Sequence, residues 1–150
     1  MKWHQLRMPL AIETQWGGYS IPDAELLGSG SYRLCYALDA RTVVKFAWRS
    51  DGVESNRHEV EIWQSATAEL RKHLADILSW AHDYSWVIMR RAKDVGEVPC
   101  RCVPRMLKDA IQDVEFHNSN VGRIGRTVVA VDYGEYAGWH DRSQEQRFGF

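Results

Sequence analysis

The chain has 150 residues, of which 45% are hydrophobic and 26% charged, and a formal net charge of −1. This balance fits one globular domain able to bury a core and excludes a disordered or collagen-like chain. Near-neutrality removes any bulk electrostatic reason to expect nucleic acid, an acidic membrane surface or a polyanionic substrate.

Three cysteines, Cys35, Cys100 and Cys102, leave at least one unpaired. Met1 to Leu10 lacks an apolar core long enough for a signal peptide, so a reducing cytoplasm is the expected compartment. Cys100 and Cys102 flank a single arginine with no second Cys or His pair at finger spacing, so they read as ordinary thiols and not as a zinc site. No apolar run approaches a membrane span, and no internal repeat is present. Seven tryptophans read as filling for a compact core and its rim.

In chain order, Met1 to Asp23 reads as irregular, with Trp16-Gly17-Gly18-Tyr19 and Pro22 supplying turn chemistry. Leu26 to Trp48 alternates strand-like runs with Gly and Asp-Ala-Arg turns, the pattern of an antiparallel meander. Within it, Leu27-Gly28-Ser29-Gly30-Ser31-Tyr32-Arg33-Leu34-Cys35-Tyr36 predicts a strand, a glycine-rich turn and a second strand. Thr42 to Ala47 predicts a third, β-branched strand carrying one lysine, Lys45. Arg49 to Ser55 reads as a connector. A helix is expected from Asn56, whose side chain can cap it while Glu59 completes a capping box. Helical spacing puts Val60, Trp63, Ala66, Thr67, Leu70 and Leu74 on one face, with Glu59 on the same stripe and Glu61 almost opposite. Asp76 to Trp80 and Trp86 to Arg91 predict two further strands, giving a sheet of about five. Ala92 to Pro99 is the candidate linker, and Pro104 to Asp113 suits a short helix opened by its proline. A hairpin turning at Gly125-Arg126 follows.

Around that hairpin lie Glu115-Phe116-His117-Asn118-Ser119-Asn120-Val121-Gly122 and Thr127-Val128-Val129-Ala130-Val131-Asp132-Tyr133-Gly134. Two acids and an amide are thereby grouped on one short unit. Mg²⁺ prefers oxygen ligands and is bound through one or two carboxylates plus phosphate oxygens, which suits Asn120 and Asp132 as metal ligands. Each feature also has a plainer reading. Asn, Asp and Gly serve any turn, the glycines Gly28 and Gly30 serve any hairpin, and Lys45 can snorkel to water from an edge strand.

Taken together and in order, these motifs resemble a protein-kinase-like domain over Leu27 to Gly134. The chain is most similar in kind to the very short kinase-like proteins of phage and bacterial genomes, whose catalytic loop is similar to Asp-x-His-x-x-Asn-x-Gly. The resemblance implies an α+β fold: an antiparallel five-stranded N-lobe sheet with one long helix over about residues 1–91, a hinge at 92–99, and a truncated C-lobe over 100–150. It implies ATP and Mg²⁺ as cofactors, with Gly28, Ser29 and Gly30 at the phosphates, Lys45 paired with Glu59, and the adenine near Met89 to Ala92. Glu115 falls at the catalytic acid, Asn120 and Asp132 at the metal, and His117 either braces the metal-binding acid or is solvated.

Three departures accompany the resemblance. Arg33 stands where the family has its third glycine. Glu115 replaces an Asp, lengthening the side chain by one methylene where a misplacement of about 1 Å can cost about 10²-fold; Asp113 is the alternative acid. Only Glu135 to Phe150 follows Asp-Tyr-Gly, too little for a helical peptide-binding lobe, so a protein substrate is expected to be held by a partner, by a second copy, or not at all. The implied function is Mg·ATP binding with phosphoryl transfer to a hydroxyl. The alternative is a pseudokinase, a protein-binding or regulatory module without turnover, in either case in a cytoplasm, the host's if the chain is phage-borne. Neither nucleic acid nor membrane is an expected partner.

Overall fold

The computed structural model of the chain describes residues 12–13, 19–20, 24–29, 32–93, 105, 107 and 120–134. Gly30, Asp113, Glu115, His117, Cys100, Cys102, the linker beyond Lys93 and the tail after Gly134 lie outside those residues. Of the helix expected over Pro104–Asp113, Arg105 and Leu107 are described, and both are helical.

The architecture is α+β, a five-stranded antiparallel sheet with few helices. Strands β1 (Ile12–Glu13) and β2 (Tyr19–Ser20) pair in a short ladder inside the segment expected to be irregular. The main sheet contains β3 (Glu25–Ser29), β4 (Arg33–Ala37), β5 (Thr42–Ala47), β6 (Ile77–Trp80) and β7 (Trp86–Arg90), in the order β3-β4-β5-β7-β6. Central β5 is buried along its whole length, which explains why it is the strand of the main sheet richest in β-branched residues. Its entry turn is fixed by Asp39, whose Oδ1 accepts from the Arg41 and Thr42 amides at 2.6 and 2.8 Å. A short polar side chain closing its own turn in this way is what Asp supplies at such positions.

Side-chain alternation gives the sheet two apolar faces. On one, Val43, Val87, Met89 and Ile77 join Val60, Leu74, Leu107, Val121, Val129 and Tyr133 in the main core. On the other, Tyr36, Val44, Phe46 and Ile88 form a second cluster. Arg33, Cys35 and Lys45 share the first face, because Arg33 pairs with Ala47 and Cys35 with Lys45.

Helix α1 (Ser50–Ser65) follows β5 directly and begins six residues before the expected Asn56 start. Its N-cap is Arg49, whose side chain makes no capping bond, so local capping did not set the boundary. The packing did. A Cβ on Gly52 would lie 2.3 Å from the Tyr32 carbonyl oxygen and 3.0 Å from the Ala47 Cβ, so the glycine lets the first turn press onto the sheet. Asp51 in that turn complements the helix dipole. Asn56 is therefore an interior, buried helix residue. The predicted stripe is also interrupted, since α1 ends at Ser65 and a separate turn, α2 (Ala68–Arg71), is capped by the Thr67 side chain accepting from the Leu70 amide at 3.2 Å.

Strands β8 (Val121–Ile124) and β9 (Thr127–Ala130) form the expected hairpin, with Gly125 at φ +61° in its turn. Two backbone clamps fix the hairpin against the rest of the fold. The Ala75 amide donates to Ala130 O and the Ala130 amide to His73 O, both at 2.8 Å, while Lys93 and Arg123 exchange amide bonds at 2.8 and 2.9 Å. Among the described residues no helix is long and apolar enough to cross a membrane.

Candidate functional site

The segment leaving β9 runs back along α1. The Val131 amide donates to Asn120 O at 2.8 Å, and Lys45 Nζ donates to Val131 O at 2.5 Å. The Tyr133 amide donates to Glu59 Oε1 at 3.3 Å, and the Tyr133 hydroxyl to Ala75 O at 3.0 Å. Gly134 lies so close to α1 that a Cβ would sit 2.4 Å from Ser55 O, and its carbonyl is 3.0 Å from His58 Nδ1. This lacing holds Asp132, between Val131 and Tyr133, over the sheet.

The side chains converge there. Lys45 Nζ lies 2.6 Å from Glu59 Oε1 and 3.9 Å from Asp132 Oδ1. Glu59 is fully buried and is surrounded by Lys45, Arg33 and the Tyr133 amide, the pairing that a buried charge requires. The structure thus brings together three of the residues singled out from sequence: the sheet lysine, the helix glutamate on its inward stripe, and the acid after the last strand. Glu61 is exposed.

A fourth residue, Arg33, completes the cluster. Its NH1 donates to Glu59 Oε2 and to Asn56 Oδ1, the latter at 3.1 Å, and its NH2 to Asp132 Oδ1 at 2.5 Å. Burial alone would lower its pKa, but Glu59 and Asp132 together outweigh burial and raise it beyond the ordinary arginine range. Asn56 is itself anchored, its Nδ2 donating to Tyr84 O at 2.8 Å. The Arg33 side chain is 12% exposed and that of Asp132 42%, so the cluster opens to solvent at Asp132. Cys35, beside it, has its thiol pushed up by burial, with Lys45 and Arg33 partly offsetting this.

The remaining candidates are less directly engaged. Gly28 and Ser29 end β3, where the ladder slips by one residue between Leu26 and Gly28, and a Cβ on Gly28 would meet no atom within 4 Å. Met89 is buried in the main core and not at an open edge. The Arg90 and Arg91 amides beside it already donate to Asp76 O and Arg41 O, at 2.9 and 2.8 Å, and so are not available to an adenine edge. Asn120 is half-buried, its carbonyl held by Val131. The groove lined by His58, Glu61, Ile62, Gln64 and Ser65 lies along α1 and includes none of the clustered charges.

The Mg²⁺ implied by the resemblance would meet a competing cation at Asp132. Among the described residues no three His, Cys, Asp or Glu side chains group to hold a metal. The one carboxylate suited to it, Asp132, is already bonded to a guanidinium with an ammonium close by. A divalent cation there would meet two positive charges. From sequence alone, Arg33 reads only as a missing glycine and Asn56 only as a cap. Alternation along β4 puts Arg33 and Cys35 on one face, and the pairing of β4 with β5 makes it the Lys45 face.

No protein-family model matches the chain, and no curated protein matches it.

Proposed function

We propose that the chain is a reduced protein-kinase-like module of the pseudokinase kind, which binds the phosphates of ATP beside Lys45 and serves a protein-binding or regulatory role without turnover. The observation that carries this reading is the convergence of Lys45, Glu59 and Asp132, with Lys45 Nζ 2.6 Å from one carboxylate and 3.9 Å from the other. The three come from the third strand of the main sheet, the helix directly after it and the end of the hairpin. Those are the elements to which the kinase family assigns the phosphate-binding lysine, its glutamate partner and the aspartate of the Asp-Phe-Gly triplet. The ion pair orients an ammonium whose charge suits phosphate oxygens.

Arg33 favours binding over transfer. Phosphoryl transfer depends on electrostatic neutralisation by metal ions held on such an aspartate, and here a guanidinium holds that aspartate instead. The second reading, ATP-dependent transfer to a hydroxyl with Glu115 or Asp113 as base, is favoured by the solvent exposure of Asp132, which leaves its pairing open to exchange.

A thermal-shift titration tests the reading. ATP at about 100 times its Kd stabilises by about 2.7 kcal/mol, a rise in Tm of about 5–10 °C for a chain of this size, and Lys45→Met removes the rise. The absence of any rise in the parent protein refutes nucleotide binding. Transfer of label from γ-labelled ATP that vanishes in Asp132→Ala would replace the pseudokinase reading with the enzymatic one.

A further inference from the structure

Arg33 has no counterpart in the glycine pattern of the resembled family, yet its side chain bonds to three partners in the site. It starts β4, immediately after the glycine-rich turn, and reaches Glu59, Asn56 and Asp132 from the same sheet face as Lys45. We propose that Arg33 stands in for the divalent cation, so that this site binds a nucleoside triphosphate in its metal-free form. The inference rests on the nucleotide-binding reading above and specifies the chemical form of the ligand.

Three features support it. First, a guanidinium carries five N–H donors in a planar fork that matches phosphate oxygens. The bonds to Asn56 and Glu59 use NH1, and Asp132 takes one NH2 hydrogen, so among the described residues two of the five donors, the second NH2 hydrogen and Nε–H, are not used by these bonds. Second, Arg33 is bonded to the most exposed member of the cluster, Asp132. It can therefore lie between that carboxylate and a phosphate, as a positive charge joining two anions. Third, the exposed carboxylate, Asp132, is already bonded to Arg33 and lies 3.9 Å from Lys45 Nζ. Metal and arginine compete for one carboxylate, and the arginine is tethered.

Isothermal titration of the full chain with ATP, in EDTA and in excess Mg²⁺, tests this. The expected result is binding in EDTA at least as tight as in Mg²⁺. In Arg33→Gln, which keeps reach and polarity, metal-free affinity falls about 10- to 100-fold, the range for losing a charged hydrogen bond. In Arg33→Gly, which restores the family's glycine, binding becomes Mg²⁺-dependent, a change that a merely structural arginine would not produce. Far-UV circular dichroism establishes that each variant is folded, and Arg33→Gln decides the matter if Arg33→Gly is not. Binding of ATP by the parent only with Mg²⁺ overturns this inference and leaves the nucleotide-binding reading standing. Undiminished metal-free binding in Arg33→Gln does the same, and absence of binding under both conditions overturns both.

Discussion

Replacing Glu59 by Gln is the sharpest perturbation the structure offers, because it deletes one charge and almost no volume. Glu59 is fully buried and serves Lys45 at 2.6 Å, Arg33, and the Tyr133 amide at 3.3 Å. Without its charge, two mostly buried cations share the single carboxylate of Asp132. Unit charges about 4 Å apart at an effective dielectric of about 20 attract by about 4 kcal/mol, and removing one partner of a buried pair costs about 3–5 kcal/mol. That is a large share of the roughly 5–15 kcal/mol by which domains are stable. It corresponds to a fall in Tm of about 6–20 °C at about 2–4 °C per kcal/mol. Chemical denaturation of Glu59→Gln, Lys45→Met and the double variant measures the coupling directly. Neighbours in one network couple by about 0.5–3 kcal/mol, and the upper half of that range is expected. A fall in Tm below about 2 °C, or additive single effects, would show that the cluster is solvated and would refute the reasoning about the site.

Two further outcomes follow from packing and burial. Gly134→Ala should cost about 1–3 kcal/mol, because its Cβ would lie 2.4 Å from Ser55 O on the helix that carries Glu59; Gly28→Ala, with nothing within 4 Å, should change stability by less than about 0.5 kcal/mol. Equal denaturation midpoints for the two variants would contradict the close approach of the last segment to α1. Stability should also fall in alkali. Burial pushes the Cys35 thiol up, and burial together with Glu59 pushes the Tyr133 phenol well up. With both pKa values raised on folding, the folded chain keeps protons that the unfolded chain releases. The stabilisation is complete below the unfolded values of about 8.5 and about 10, and is lost progressively as pH rises from them through the raised folded values. Tm measured from about pH 7 to about pH 11 should decline less steeply in Tyr133→Phe than in the parent, and equal slopes would contradict the burial of that hydroxyl.

The main strands were legible because their signals are local. Alternation and β-branching mark Thr42 to Ala47, Trp86 to Arg90 is bounded by a turn in which Asp83 Oδ1 accepts from the Ser85 amide at 3.0 Å, and Gly125 marks the hairpin by its left-handed backbone. The start of α1 was not legible, because its boundary is set by the fit of Gly52 beneath Tyr32 and Ala47, a contact between distant stretches. A local capping rule applied to Asn56 reads only its immediate neighbours. In the fold that side chain is turned inward to hold Arg33 and Tyr84.

The site divides along the same line. Helical and strand periodicities in the amino-acid order suffice to turn Lys45 and Glu59 toward a common interior, since each repeat fixes a side chain's face. What periodicity leaves open is which charges meet. Arg33 and Asp132 stand 99 positions apart, and their pairing arises only when the hairpin is clamped at His73, Ala75 and Lys93. An ion pair is decided by distance in space, and that distance is set by the tertiary fold.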